Sequence, residues 1–170
     1  MPQNIEIKAF LPNPPRVGEV VEQIGEEKGV ILQEDTFFTS PKGRLKLRRL
    51  SDKQGELIYY ERPDVHGPKQ SDYIKVTTED PDGHRSVLEK VQGIEGVVRK
   101  KRRLFILGQT RIHLDEVEGL GNFLELEVVL QEGQKPEDGM AIATDFMKKL
   151  GVKKKDLVAG AYIDLNKKRS

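Results

Sequence analysis

Charged residues alternate with apolar ones along residues 100–130, KKRRLFILGQTRIHLDEVEGLGNFLELEVVL. The pattern is typical of three successive strands, because alternate side chains of a strand share one face. An arginine suits phosphate oxygens, since its planar fork donates two parallel hydrogen bonds, and carboxylates suit hard divalent cations. A strand face that carries charges of both signs is compatible with a polar cavity as well as with exposure to solvent. The charged faces carry Lys100 and Arg102 on the first strand, Arg111, His113 and Asp115 on the second, and Glu125 and Glu127 on the third.

Two earlier segments repeat this alternation, so the chain has five strands with a charged face. Exposure to solvent is the simpler interpretation for one such strand. Five of them instead favour a closed barrel with a charged interior, whose apolar outer faces are covered by helices or loops. Residues 4–10 place Asn4, Glu6 and Lys8 on one face, and residues 44–50 place Arg44, Lys46 and Arg48 on one face. On the opposite faces we expect Ile5, Ile7, Leu45, Leu47, Leu104, Ile106, Ile112, Leu114, Leu124, Leu126 and Val128.

Hydrophobic periodicity and the positions of glycine and proline predict the remaining elements. Further strands are predicted over residues 30–39, 56–62 and 71–78, and helices over 16–28, 82–91, 137–150 and 153–165, with Gly29 and Gly151 as helix ends. The second helix should bury Val87, Leu88 and Val91, and the third Met140, Ile142, Ala143, Phe146, Met147 and Leu150. The predicted fold class is α+β, a closed antiparallel β-barrel of about eight strands with flanking helices.

Length and composition exclude several classes of protein. The 170 residues are predicted to form one domain, residues 1–170. Charged residues make up 34% of the chain but the formal net charge is only +1, which argues against a dedicated nucleic-acid binder. The absence of cysteine excludes disulfides and thiolate metal sites. With no long apolar run and no signal-peptide pattern, we expect no membrane partner and a cytoplasmic location.

Five short motifs together resemble the CYTH domain of the triphosphate tunnel metalloenzymes. They are IEIK (residues 5–8), GRLKLR (43–48), LIYYERP (57–63), KKRR (100–103) and GLGNFLELE (119–127), and they span nearly the whole chain in order. That family includes class IV adenylyl cyclases, thiamine triphosphatases and inorganic triphosphatases. Its N-terminal signature is Glu-x-Glu-x-Lys, whereas this chain has Asn4 at the first position. The departure removes one carboxylate from the metal site that the resemblance implies.

The resemblance and the strand faces together imply a set of cations for a triphosphate. Phosphoryl transfer depends on positioning and charge neutralisation, so several fixed cations are required. The implied substrate-binding residues are Lys8, Lys46, Arg48, Arg62, Lys100 and Arg102. Of these six, four are also implied as catalytic, namely Lys8, Arg48, Lys100 and Arg102. The strand faces of three further cations, Arg44, Lys69 and Lys75, are less certain.

The resemblance also implies a Mg²⁺ or Mn²⁺ site, since both ions prefer oxygen ligands. The implied ligands are Glu6, Asp115, Glu125 and Glu127, although salt bridges inside the barrel are the structural alternative for these carboxylates. With only three histidines in the chain, a zinc site is not expected, and His113 is interpreted as a hydrogen-bonded wall residue.

Three functions remain open from the sequence. The first is metal-dependent hydrolysis of a triphosphate, either inorganic triphosphate or an organic one such as ATP. The second is a class IV-like adenylyl cyclase that makes cyclic AMP and pyrophosphate, and the third is a protein that binds triphosphate or polyphosphate without turnover. The expected partner is a small molecule that contains a triphosphate, and the protein is expected to be a monomer or a homodimer.

Overall fold

The computed structural model describes residues 2–169 and the side chains of residues 2–166. Within this part of the chain there are eight strands, four α-helices and one 3-10 turn, Lys154–Asp156. The strands are β1 (Gln3–Phe10), β2 (Glu26–Phe38), β3 (Arg44–Ser51), β4 (Gln54–Glu61), β5 (Lys69–Thr78), β6 (Ile94–Leu107), β7 (Thr110–Val117) and β8 (Gly121–Val129). The helices are α1 (Pro14–Ile24), α2 (Pro81–Gln92), α3 (Pro136–Leu150) and α4 (Tyr162–Arg169).

The strands form one closed antiparallel barrel in the order β1-β5-β4-β3-β2-β6-β7-β8, and β8 pairs with β1 to close it. The predicted fold, an α+β barrel of about eight strands with flanking helices, is therefore confirmed. Closure gives every strand an inner and an outer face. The alternation in the sequence thus directs most of the charged side chains of β1, β3, β6 and β8 into the lumen, which apolar residues such as Phe37 and Val98 also line.

Two apolar clusters hold the helices against the barrel. The larger lies under α1 and α3 and includes Ile5 and Ile7 of β1, Ile112 of β7 and Leu124 of β8. Each of these four side chains is fully buried. The smaller cluster packs the start of α4 against residues of β2, β6, β7 and β8, namely Phe37, Val98, Val117 and Phe123. The clusters fix β1, β6 and β8, the strands that carry most of the charged lumen residues.

The predicted end of the first helix was wrong. The helix ends at Ile24, and Gly25 adopts an extended conformation, with φ −113° and ψ 161°. The apolar periodicity that includes Val21 stops at Ile24, so the polar residues that follow gain nothing from helical packing, and Glu26 and Glu27 pair with β6 instead. Gly29 has a φ of 115° and marks an irregularity in the β2–β6 pairing rather than a helix end.

The predicted C-terminal helix over residues 153–165 was also wrong in its extent. The segment forms the short 3-10 turn, and Leu157 then makes an isolated bridge to Ala9 of β1. Gly160 has a φ of 81°, which is not a helical conformation, and α4 begins only at Tyr162. The segment still packs against the barrel, because Ala161 and Tyr162 are buried in the smaller cluster.

Three expectations for individual side chains fail. Leu104 pairs with His113 and has the same strand parity as Lys100 and Arg102, so Leu104 and Ile106 share their face. Phe105 is the residue of β6 that is buried in the larger cluster. Met140 lies on the exposed side of α3, and Val87 and Val91 of α2 are 63% and 76% exposed.

Among the residues that the structure describes, no helix is both long enough and apolar enough to span a membrane.

Candidate active site

The barrel lumen contains one cavity on which the predicted cations and most of the predicted carboxylates converge. Strands β1, β3, β6 and β8 supply most of these residues, and Arg62 follows directly after β4. The side chains lie on inward positions of neighbouring strands, so residues far apart in the sequence meet across the lumen. The predicted site residues that line it are Glu6, Lys8, Lys46, Arg48, Arg62, Lys100, Arg102, Glu125 and Glu127, together with Asn4 and Lys75.

Three of the cations meet at Asp35, a lumen residue of β2 that the sequence analysis missed. Arg48 Nε and an Arg48 terminal nitrogen each donate to one Asp35 carboxylate oxygen at 2.9 Å. Lys100 Nζ lies 3.0 Å and Lys46 Nζ 3.4 Å from Asp35 Oδ2. The alternation of Gln33, Asp35 and Phe37 along β2 is the signal that would have found it.

The electrostatics of Asp35 follow from these contacts. Its side chain is 1% exposed, and burial by itself would raise the pKa of this carboxyl. The charges of Arg48, Lys100 and Lys46 outweigh that effect and hold the pKa of Asp35 well below its usual range. Asp35 is therefore an ionised carboxylate that these three cations surround.

Three buried lysines in the lumen titrate near neutral pH. The pKa of Lys8 and of Lys46 is lowered to about 7 and that of Lys100 to about 8, and burial is the largest cause in each. Arg62 beside Lys8 and Arg48 beside Lys46 contribute to the lowering, whereas Glu125 and Asp35 oppose it. An anion bound among these lysines would stabilise their charged forms.

The carboxylates collect on the opposite part of the lumen, where β1 and β8 pair. Glu6 is directly opposite Glu127, and Lys8 is directly opposite Glu125. Glu6 pairs with Arg62 at 2.9 Å and Glu125 with Arg102 at 3.0 Å, whereas Glu127 lies 3.5 Å from Arg111.

Glu127 carries the least compensated charge of these three carboxylates. Burial, and next the negative charges of Glu6 and Glu125, raise the pKa of Glu127. Burial also disfavours the charge of Glu125, but Lys8 and Arg102 outweigh it and keep the pKa of Glu125 well below its usual range. Like-charged groups held this close favour the binding of a cation between them.

Asp115, a predicted metal ligand, lies behind Arg102 and is not among the residues that line the cavity. Its two carboxylate oxygens accept from Arg102 at 2.8 Å each, and one also accepts from the Tyr162 hydroxyl at 2.8 Å. Asp115 therefore orients Arg102 and α4, and we do not include it among the metal ligands.

Of the three cations whose strand faces were less certain, one lines the cavity and two do not. Lys75 lines the cavity and lies 3.6 Å from Glu56, whereas Arg44 and Lys69 do not line it. Lys69 Nζ donates to the Val65 carbonyl oxygen at 2.9 Å, and Arg44 pairs with Asp164 of α4 at 2.5 Å.

Two buried polar atoms beside the carboxylates that could bind a cation have no partner among the described residues, namely Asn4 Oδ1 and His113 Nδ1. His113 is thus not the hydrogen-bonded wall residue that was expected. Burial, and next the charge of Arg102, lower the pKa of His113 to about 3, so its imidazole is neutral at pH 7. One potential ligand atom from each of His113, Glu125 and Glu127 lies within 4.8 Å of the others. The crowded carboxylates and the unpartnered atoms fit a divalent cation.

Comparison with known proteins gives a family and a fold. The family model for the CYTH domain matches residues 2–162. A Methanocaldococcus jannaschii protein named as a candidate adenylate cyclase is 25% identical over 173 residues, which cover 95% of this chain and 97% of the relative. The structure of PH1012 from Pyrococcus horikoshii superposes with a TM-score of 0.85 at 27% identity, covering 95% of this chain and 98% of that one.

A plant structure shares the fold at lower identity. HpAC1 from Hippeastrum, described as a candidate adenylyl cyclase with a dominant triphosphatase activity, has a TM-score of 0.63 and 18% identity. The match covers 89% of each chain. At this identity the likeness shows the barrel fold alone.

Proposed function

Because this chain belongs to the CYTH domain family, we propose that it is a divalent-metal-dependent enzyme that hydrolyses the terminal phosphoryl group of a triphosphate. The observation that carries the proposal is the composition of one closed lumen, in which seven cations and a group of three glutamates line the same cavity. Inorganic triphosphate and nucleoside triphosphates are the substrates with the required chain of phosphates. The dominant triphosphatase activity described for HpAC1, which has the same barrel fold, supports hydrolysis.

The cation cluster would bind the phosphate chain. Arg48 already donates two parallel hydrogen bonds to the Asp35 carboxylate, which is the geometry that an arginine uses with a phosphate. Lys46 and Lys100 approach the same carboxylate, so the three cations can be held by one anionic group. Lys8, Arg62 and Arg102 extend the positive charge toward the glutamates. In this arrangement the phosphates would lie between the cations and the metal ligands.

The three glutamates would hold the metal. Glu6 and Glu127 face each other across the β1–β8 pair, and Glu125 lies one inward position along β8. A divalent cation bound there would neutralise charge on the phosphates and activate a water molecule. Arg102, which Asp115 orients, would stabilise the charge that develops on the phosphoryl oxygens. Water would attack the terminal phosphorus, the bridging P–O bond would break, and orthophosphate and the remaining diphosphate, either pyrophosphate or a nucleoside diphosphate, would leave.

The second candidate function is adenylyl cyclisation. The observation that favours it is the Methanocaldococcus jannaschii relative, which is named as a candidate adenylate cyclase and matches over 95% of this chain. In that reaction the ribose 3′-hydroxyl attacks the α-phosphorus of ATP, and pyrophosphate leaves. The same cations and metal would serve both reactions, so the position of the α-phosphate relative to the metal would distinguish them.

The test is to incubate the protein with inorganic triphosphate and, separately, with ATP, each with Mg²⁺ or Mn²⁺. Orthophosphate, pyrophosphate and cyclic AMP are then resolved by ion chromatography. Orthophosphate from either substrate is the expected product. Cyclic AMP with pyrophosphate would replace the proposal by the cyclase, and calorimetric binding without any product would replace it by a binding protein.

Neighbouring residues on opposite strand faces provide matched controls. Arg48→Gln should abolish most of the activity, because Arg48 lies in the lumen. Arg49→Gln should leave activity near the wild-type level, because Arg49 pairs with Asp52 and Asp82 outside it. Glu125→Gln and Glu127→Gln should keep the fold, since glutamine is nearly isosteric, and should abolish the response to added metal.

A further inference from the structure

His113 lies beside the proposed metal ligands and is not bonded to the protein through Nδ1. It belongs to β7 and is directly opposite Glu125 of β8 and Leu104 of β6. Its side chain is 5% exposed, so water contributes little to satisfying the ring. A buried polar atom without a partner is costly, and most such atoms in folded proteins are bonded. The unpartnered nitrogen therefore leaves His113 able to bind a ligand that the chain itself does not supply.

The position of His113 fits that of a metal ligand. One potential ligand atom from His113, Glu125 and Glu127 lies within 4.8 Å of the others, so small side-chain movements would bring all three into contact with one ion. The imidazole is also the only neutral nitrogen donor within this group of residues. A carboxylate at the position of Asn4 would have added a charged oxygen ligand, and Asn4 instead provides a neutral amide oxygen, which also has no partner.

Imidazole changes the metal that a carboxylate site prefers. Mg²⁺ demands oxygen ligands and usually keeps several waters, whereas imidazole binds first-row transition metals well. We propose that His113 is a nitrogen ligand of the divalent cation in this lumen, and that the site therefore binds a first-row transition metal more tightly than Mg²⁺, with paramagnetic Mn²⁺ as the probe. The inference rests on the metal site of the proposed function, but it does not depend on which reaction the enzyme catalyses.

The test measures the metal in the whole, substrate-free protein. The protein is produced with natural histidine and with ¹⁵N-labelled histidine, loaded with Mn²⁺ alone, and studied by pulsed electron paramagnetic resonance. We expect a ¹⁴N coupling to Mn²⁺ that changes to a ¹⁵N coupling in the labelled protein. The wild-type spectrum decides the point even where a variant fails to fold.

Variants then assign the coupling and its effect on affinity. The chain has three histidines, so His113→Leu should remove the coupling, and His84→Leu on exposed helix α2 should retain it. Loss of one ligand should weaken Mn²⁺ binding at least about tenfold. Mg²⁺ affinity should change far less, since a water can replace the nitrogen.

Two results would overturn the inference. One of them leaves the proposed metal site intact, and the other removes it. If Mn²⁺ binds in a way that Glu127→Gln abolishes, but no histidine nitrogen couples to it, His113 is not a ligand and the proposed metal site stands. If Glu127→Gln has no effect on Mn²⁺ binding, the proposed metal site and the role of His113 fail together.

Discussion

At the scale of single residues, Asp35 joins three of the cations on which our proposed function depends. It accepts from Arg48 through both carboxylate oxygens and lies within 3.4 Å of Lys46 and Lys100. Without a substrate, these cations would repel one another in a region of low solvent exposure. Asp35 therefore acts as an internal anion that keeps them in place.

Asp35→Asn should destabilise the protein by about 3–5 kcal/mol, because breaking a buried charge pair leaves its partners uncompensated. Added triphosphate should then raise the melting temperature of the variant more than that of the wild type, since the ligand would replace the lost anion. Urea unfolding and thermal denaturation measure the two effects. Asp52→Asn is the control, because Asp52 is an exposed partner of Arg49 and should change stability by less than about 0.5 kcal/mol. A variant as stable as the wild type would show that the cations do not need Asp35.

Asn4→Glu tests the departure at the first motif position. Asn4 lines the lumen with its Oδ1 unpartnered, so a carboxylate there would add a charged ligand beside Glu6 and should tighten metal binding. We expect the metal concentration for half-maximal activity to fall several-fold, and triphosphate affinity in chelator to fall through charge repulsion. Gln3→Glu adds the same charge one strand position away and should do neither. An unchanged metal requirement in Asn4→Glu would show that the metal lies away from residue 4.

At the scale of elements, the contact between α3 and β1 holds the strand of Glu6 and Lys8. Gly139 of α3 is buried against β1, and a Cβ atom added there would lie 2.5 Å from Ile5 Cγ1 and 2.7 Å from Leu130 Cδ2. No larger residue fits this contact unless the helix or the side chains of Ile5 and Leu130 move. The close approach therefore ties the position of α3 to the register of β1.

Gly139→Ala should lower the free energy of unfolding by about 1–3 kcal/mol, because overpacking outweighs the better helix propensity of alanine. Gly18 of α1 offers a matched contrast, since an added Cβ would meet its nearest atoms at 3.9 Å, an ordinary contact distance. Gly18→Ala should therefore stabilise the protein by up to about 1 kcal/mol. Urea denaturation measures both, and equal effects of the two changes would contradict this description of the α3–β1 contact.

At the scale of the whole molecule, closure of the barrel places charges of both signs in one poorly solvated space. The lysines set the sign of the effect of pH on stability. In the folded protein the pKa is about 7 for Lys8 and Lys46 and about 8 for Lys100, below the usual 10.5. At pH values between the folded and the usual pKa, the unfolded chain binds more protons than the folded one. Stability should therefore rise with pH from about 7 to about 10.

In chelator and without phosphate, we expect the free energy of unfolding to rise over this range by at most about 1.4 kcal/mol per pH unit for each lysine. The melting temperature should rise with it. Triphosphate affinity should fall over the same range, as the lysines lose their charge. Lys46→Met should flatten the stability profile. Lys101→Met should not, because Lys101 lies on the outer face of β6 and is exposed. A melting temperature that falls between pH 7 and 9 would contradict the assignment.

The alternation of charged and apolar residues was enough to predict a closed barrel and most of its lumen. Glu6, Lys8, Arg48, Glu125 and Glu127 were found this way, because the direction of a side chain depends on its parity within a regular strand. Parity is a local property, and the sequence determines it once a strand is recognised. The prediction for Leu104 departed from this rule, since Leu104 is an even number of residues from Lys100 and Arg102 and therefore shares their face.

Only the tertiary structure decided which charges meet. Asp35 lies 13 residues from Arg48 and 65 from Lys100, and pairing of β2 with β3 and with β6 brings the three together. Pairing of β6 with β7 places Asp115 beside Arg102, and His113 Nδ1 remains without a protein partner. Strand order and register set these contacts, and both arise from pairing between distant segments, which no local pattern in the sequence specifies.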